Sequence, residues 1–188
     1  LSVQSVTNAV PGSAPVVTFK VVDKAGKPVD ISKLTRMSVV LAGPNDDYGT
    51  GAGGIRVSET PPTTLVGNNG VYVYTMTNKI PAAAAGSYTV SLESRNAVIL
   101  MPGTVREQSA TDSAIPVQFH FTVDKSKMAP RRVVVSTEKC AACHKDLTFI
   151  HGGTRGNSQE CAICHNPTLA NATSKVSLNF AVMVHAIH

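Results

Sequence analysis

Apolar and polar positions alternate through much of residues 1–123, the pattern of strands with one face in a core and the other in water. The stretch Val16-Val17-Thr18-Phe19-Lys20-Val21-Val22 is β-branched and apolar, and Asp23-Lys24-Ala25-Gly26-Lys27-Pro28 ends it with turn residues. A second strand is predicted over 36–41, broken by Gly43-Pro44-Asn45-Asp46-Asp47. Residues 42–63 are rich in Gly, Asp, Thr and Pro and predict a long surface loop. Gly67-Asn68-Asn69-Gly70 is a turn signal leading into Val71-Tyr72-Val73-Tyr74-Thr75-Met76, which alternates as a half-buried strand does. Residues 82–85 favour helix, but Pro81 and Gly86 leave room for one turn only. Further strands are predicted over 86–94, with Tyr88, Val90 and Leu92 on one face, and over 116–123. In the latter Val117, Phe119, Phe121 and Val123 share one face, and Gln118, His120 and Thr122 the other. Short strands with frequent turns predict an antiparallel sandwich or Greek-key barrel over residues 1–135.

The period then changes. A basic connector over 124–135, with Lys125, Lys127, Arg131 and Arg132, leads to a small, loop-rich helical region over 136–188. Ser136 or Thr137 is placed to cap one short helix and Asn157 or Ser158 another, with the loop His151-Gly152-Gly153-Thr154-Arg155-Gly156 between them. A last helix is predicted over 178–188, with Phe180, Met183, Val184 and Ile187 apolar and His185 and His188 three apart on nearly one face. Apolar residues are few in this region, and it is expected to fold around something other than its own side chains.

The two short helices carry the chemistry. Cys140-Ala141-Ala142-Cys143-His144 is echoed by Cys161-Ala162-Ile163-Cys164-His165. C-x-x-C-H is the attachment signature of c-type haem: the two thiols add to the two porphyrin vinyl groups, and the adjoining imidazole becomes the proximal iron ligand. Two motifs imply two covalently attached haems c. The same cysteines also match zinc-ribbon spacing, with 17 residues between Cys143 and Cys161. A four-thiolate zinc site, however, has no use for a histidine after each second cysteine. With six histidines in 188 residues, chance places both with a frequency of about one in a thousand. A redox dithiol is the third reading.

Composition narrows the rest. The chain has 43% hydrophobic and 15% charged residues and no apolar run long enough to span a bilayer. It starts at Leu1 without a basic and apolar leader, and so reads as a mature or excised piece whose haem motifs imply export. Residues 1–123 hold nine Lys/Arg against eight Asp/Glu, and residues 124–188 hold eight against four, so the +5 excess sits with the cysteines. Four haem propionates would absorb most of it. Nucleic acid is not expected as a partner, because no aromatic residues interleave the basic ones.

His144 and His165 are the proximal ligands on this reading, leaving His151, His185 and His188 as distal candidates. That is three candidates for two irons. His151 lies seven residues past His144, a short loop for reaching the far face of the same porphyrin, and is expected to serve the second haem or a later one. His120, on the polar side of its strand, reads as a solvated residue. Asp46, Asp47, Asp23 and Asp30 lack the spacing of a calcium loop and read as loop acids in water. No nucleophile-and-base set is visible, and Gly51-Ala52-Gly53-Gly54 lacks a phosphate-loop lysine, so any reduction of metal or flavin would occur at an exposed haem edge.

A β region followed by C-x-x-C-H, a His-Gly-Gly loop, C-x-x-C-H-Asn-Pro and Val184-His185-Ala186-Ile187-His188 resembles the OmcA/MtrC family of outer-membrane decahaem cytochromes. The stretches Pro15-Val16-Val17-Thr18-Phe19-Lys20-Val21 and Leu41-Ala42-Gly43-Pro44 are similar to that family's split-barrel domains. The resemblance implies bis-histidine haems that pass electrons at the outer surface of the cell to metal oxides, metal ions and flavins. It also implies other multihaem cytochromes or a porin-cytochrome complex as partners. Two features depart from the family pattern: only two haem motifs are present where five would follow, and the barrel has no cysteine pair. A reading from another class makes the β domain a binding module for a partner protein or flavin, with accessory haems.

Overall fold

The computed structural model describes residues 1–145, 147, 148, 151 and 153–188. Gly152 of the predicted His-Gly-Gly loop lies outside them. The strands are β1 (Ser2–Thr7), β2 (Val16–Lys20), β3 (Arg36–Gly43), β4 (Ile55–Glu59), β5 (Val71–Thr75), β6 (Ser87–Leu100), β7 (Gln108–Ser113) and β8 (Val117–Thr122). The helices are α1 (Thr137–His144), α2 (Ser158–Cys164) and α3 (Phe180–Ile187).

All pairings are antiparallel. One sheet has the order β1-β2-β5, and the other runs β4-β3-β6, with the long free edge of β6 shared between two strands. Ser87 to Leu92 of β6 pair with β8, and Arg95 to Leu100 pair with β7. The sheets face each other across one core, in which Val17, Phe19 and Tyr74 meet Val39, Leu41, Tyr88, Val90 and Leu92. Phe19 and Tyr72 are cross-strand partners, and their rings stack at 5.5 Å between centroids. The turn into β5 places Asn69 and Gly70 at φ 49° and 77°, the left-handed pair that a two-residue hairpin turn requires. The mainly antiparallel β fold expected from the alternation is the fold observed.

Three strands escape the sequence pattern. β4 lies inside the predicted 42–63 loop, too short to stand out between Gly-rich and Pro-rich neighbours; its ladder to β3 defines it. Glu59 at its end also ties the two sheets together, accepting hydrogen bonds from Tyr74 Oη at 2.7 Å and from the Thr77 and Asn78 amides at 2.8 and 2.7 Å. β7 is wholly polar apart from Ala110, so it shows no alternation, and β1 is rich in serine. β6 runs six residues past the predicted end at Ser94, because β7 folds back on it.

β3 and the first part of β6, Ser87 to Ser94, are buried on both faces. Beyond the core face, Ser38, Val40, Ala42, Thr89, Ser91 and Glu93 are buried as well. The cover is α2, whose Ile163 and Cys164 pack with Val40, Ala42 and Tyr48 in a second apolar cluster. The expectation of little polypeptide core after residue 135 therefore holds for α1 and α3, which bury no residue, and is corrected for α2. His120 is corrected as well. It is half-buried on the sheet face that carries Thr89, its Nδ1 lies 2.8 Å from Thr89 Oγ1, and burial pushes its pKa below the usual imidazole value.

The connector is stitched to the barrel. Ala129 N donates to Ser87 Oγ at 2.9 Å, and Asn45 Nδ2 donates to Ala129 O at 2.8 Å. Arg131 and Arg132 both reach Asp47, at 3.1 and 3.3 Å, so Asp47 is an ion-pair partner rather than a loop acid in water. Asp23 and Asp30 close local turns by accepting backbone amides. Among the described residues no helix is long and apolar enough to cross a membrane.

Candidate functional site

Each C-x-x-C-H motif occupies the C-terminal part of a helix of about two turns. Cysteines three apart on a helix share one face, and the histidine follows at the helix end. His144 closes α1, and His165 sits at the C-cap of α2. Asn157 caps α2 by accepting the Glu160 amide at 2.7 Å, whereas Ser136 makes no side-chain capping bond to α1. The helices meet near their starts. The Ser158 amide donates to Thr137 Oγ1 at 3.0 Å, and Ser158 Oγ donates to the Val135 carbonyl at 2.9 Å.

The histidines fall into pairs that join residues distant in sequence. His144 and His188 face each other with Nε2 atoms 3.5 Å apart, ring centroids at 5.7 Å and ring planes at 88°. His151 and His165 lie with centroids at 6.0 Å and planes at 33°. His165 Nδ1 is 2.9 Å from the Leu178 carbonyl, and His188 Nδ1 is 3.1 Å from the Val184 carbonyl. A carbonyl oxygen only accepts, so in both rings the proton sits on Nδ1 and the lone pair is left on Nε2. Burial and the neighbouring Arg155 guanidinium lower the pKa of His151 and favour its neutral form. His185 stands outside both pairs. It lines a cavity of about 470 Å³ together with Cys140, His165, Phe180 and Val184, and Asp47, Arg131 and Arg132 supply the charged part of the wall.

These groups fit a haem. A metal held between two imidazoles needs about 2 Å to each nitrogen, close to the opening between His144 and His188. A largely apolar cavity with a motif cysteine in its wall suits a porphyrin edge. They do not fit zinc, because among the described residues no three His, Cys, Asp or Glu side chains converge as a metal-binding group. Nor do they suit a redox dithiol. Burial, with the Glu160 charge beside it, pushes the Cys161 thiol to about 11, away from the reactive thiolate that a redox dithiol needs.

The barrel shapes the second motif through residues that sequence reasoning did not single out. Arg155 Nε donates to Glu93 Oε1 at 2.8 Å, and Arg36 reaches the same carboxylate at 3.5 Å. Arg56 Nη2 lies 2.7 Å from Cys164 Sγ. Ser91 Oγ donates to Glu160 Oε2 at 2.5 Å. Gly153, at φ 91°, brings the loop after His151 against β7, where an added Cβ would lie 3.1 Å from Ser113 Oγ and Thr111 Cγ2. The one signal in the sequence was a glutamate on the strand face opposite Tyr88, Val90 and Leu92, which reads as solvent-facing until a second layer is known.

Two comparisons bear on these features. Residues 132–188 match the family described as outer membrane cytochrome MtrC/MtrF-like, domains II/IV. Over 137 residues, 70% of this chain, the sequence is 34% identical to the multiheme cytochrome MtrC of Shewanella baltica (strain OS185). The matched part makes up 20% of that relative, so the chain spans about a fifth of its length.

Proposed function

The chain belongs to the MtrC/OmcA family of multihaem cytochromes, and from that premise we propose that it carries electrons through two covalently attached, bis-histidine haems c. The observation that carries this reading is the pairing of each motif histidine with a histidine from elsewhere in the chain: His144 with His188, and His151 with His165. On this reading residues 1–135 form the β domain and residues 136–188 the haem-binding region.

Cys140 and Cys143 anchor one haem and Cys161 and Cys164 the other; when bound, the haems supply reversible one-electron transfer. His144 with His188, and His151 with His165, would hold the two irons; an iron held by two imidazoles would have no place for dioxygen or substrate, and the chemistry supplied would be outer-sphere transfer. The Leu178 and Val184 carbonyls fix the orientation of the His165 and His188 rings by accepting the Nδ1 proton. Arg131 and Arg132 bring positive charge to the cavity wall, where propionates would be received. His185 is left outside the two pairs. The physiological setting that follows is an exported protein at the outer cell surface. It would work with other multihaem cytochromes or a porin-cytochrome complex, and deliver electrons to metal oxides, metal ions or flavins.

The test is a visible spectrum of the oxidised and reduced protein with a pyridine haemochrome count. Two haems per chain, low-spin bands and no response to carbon monoxide are expected. His188→Ala should open the first haem to carbon monoxide and His151→Ala the second, while His185→Ala leaves both closed. A colourless protein, or one that binds carbon monoxide in its unaltered form, would sink the proposal.

A further inference from the structure

Glu93 and Glu160 lie in the seam between the second sheet and α2, and both are 0% exposed. Their surroundings differ. Glu93 is ion-paired with Arg155 at 2.8 Å and with Arg36 at 3.5 Å and keeps its negative charge. Glu160 has no ion-pair partner among the described residues: its Oε2 accepts from Ser91 Oγ at 2.5 Å and from Gln118 Nε2 at 3.4 Å, and its buried Oε1 meets no N–H or hydroxyl donor, the Glu93 carboxyl being the neighbour that shares a hydrogen bond with Glu160 when one of the two is protonated. In a capping box the carboxylate at this helix position turns back to the helix N-terminus and stays in water. Here it points into the sheet instead.

The ionised form of such a carboxyl is disfavoured twice, by loss of water and by the like charge of Glu93. The titratable groups whose charge reaches it are Glu93 on β6, Arg155 in the loop before α2, Tyr48 in the loop after β3, and Cys161 on its own helix. β8 contributes the neutral Gln118. Burial, before the Glu93 charge, pushes Glu160 up to about 7, so its proton is exchangeable near neutral pH. It precedes Cys161 directly and stands five residues before His165.

We propose that Glu160 is a redox-linked proton site: it binds a proton when the haem held by Cys161 and Cys164 is reduced and releases it on reoxidation. The inference rests on the electron-transfer reading above. Reduction of the haem anchored at the next residue, Cys161, by a one-electron donor would remove one positive charge from the surroundings of the carboxylate. The carboxylate then takes one proton from water, forming its O–H bond; reoxidation returns the electron to an acceptor and the proton to water. No other bond changes. Linkage is reciprocal, so this haem becomes harder to reduce as pH rises through the range in which Glu160 titrates. α1 has no such group, since Glu138 is exposed.

The experiment is a spectroelectrochemical titration of the haem-loaded chain from pH 5 to 9, with a reduced-minus-oxidised infrared difference spectrum of the same samples. In the unaltered protein one haem should shift its oxidised-to-reduced ratio by up to tenfold per pH unit, about 59 mV for one electron. A carboxylic C=O band should appear on reduction. Glu160→Gln should remove that slope and that band, while Glu138→Gln keeps both. Should Glu160→Gln load haem poorly, Ser91→Ala is the second arm: loss of the hydroxyl donor to the ionised form should move the pH-dependent range upwards. An unchanged slope and band in Glu160→Gln, or an unmoved range in Ser91→Ala, overturns the proposal and leaves the propionates as the proton carriers. Carbon monoxide binding by the unaltered samples would instead count against the bis-histidine reading, and absence of haem at Cys161 and Cys164 would remove both.

Discussion

α1 and α2 carry the same five-residue motif and the same helix length to within one residue, yet they stand in opposite environments. α1 buries nothing. α2 buries Ser158, Glu160, Ala162, Ile163 and Cys164, and lies on a sheet that is already closed on its other face. The difference rests on a single position within the motif, where α1 has Ala142 and α2 has Ile163, and on one residue ahead of it, Glu160. The spacing of cysteines and histidine is alike in both helices. What surrounds it differs, so the two attachment sites of the proposed haems would stand in surroundings of different polarity.

The strongest way to break this asymmetry is Ile163→Ala. The side chain is fully buried against Val40, Ala42 and Tyr48, and its loss should cost about 2–5 kcal/mol in denaturant unfolding of the haem-loaded protein. The matching change Ala142→Ile, at an exposed position, should stay within about 0.5 kcal/mol. Equal effects at the two positions would show that α2 is not docked on the sheet.

Next in size is the ion pair that holds the His151 loop. Arg155→Met leaves buried Glu93 with the more distant Arg36 alone and should destabilise by about 1–3 kcal/mol in the same assay. It should also perturb the haem served by His151 and spare the one served by His144, as read from the low-spin bands.

Stability against pH sharpens the comparison further. The pKa of Glu160 is raised in the folded state, so its contribution is complete below its unfolded value of about 4.5. It declines as pH rises and is lost above about 7. The largest slope expected from this one proton is about 1.4 kcal/mol per pH unit. Denaturant midpoints from pH 4 to 8 should show the decline in the unaltered chain and a flatter profile in Glu160→Gln. The smallest effect expected is at the connector. Asp47→Asn removes the pairing of Arg131 and Arg132 at a partly exposed site and should cost no more than about 1 kcal/mol, diminished further by salt.

Much of this molecule follows from local rules. Alternation revealed β5, β8 and the first half of β6, because each sets apolar positions against polar ones, while a β-branched apolar run marked β2 and the turn residues after it bounded β3. The five-residue motifs pointed to haem attachment over a zinc site or a redox dithiol, since only haem uses a histidine directly after each second cysteine. Asn157 announced the start of α2. Tertiary structure alone decided what local periodicity does not carry: the polar strand β7, which exists through its ladder to β6, and the second buried face of β3 and β6. It also decided which distant histidine meets which motif, because the approach of His188 to His144 and of His151 to His165 is a property of chain packing rather than spacing. Glu93 and Glu160 show the reason most plainly. In sequence each is an acid in an ordinary exposed position of a strand or helix, and only the docking of α2 on the sheet removes the water that would have kept them ordinary.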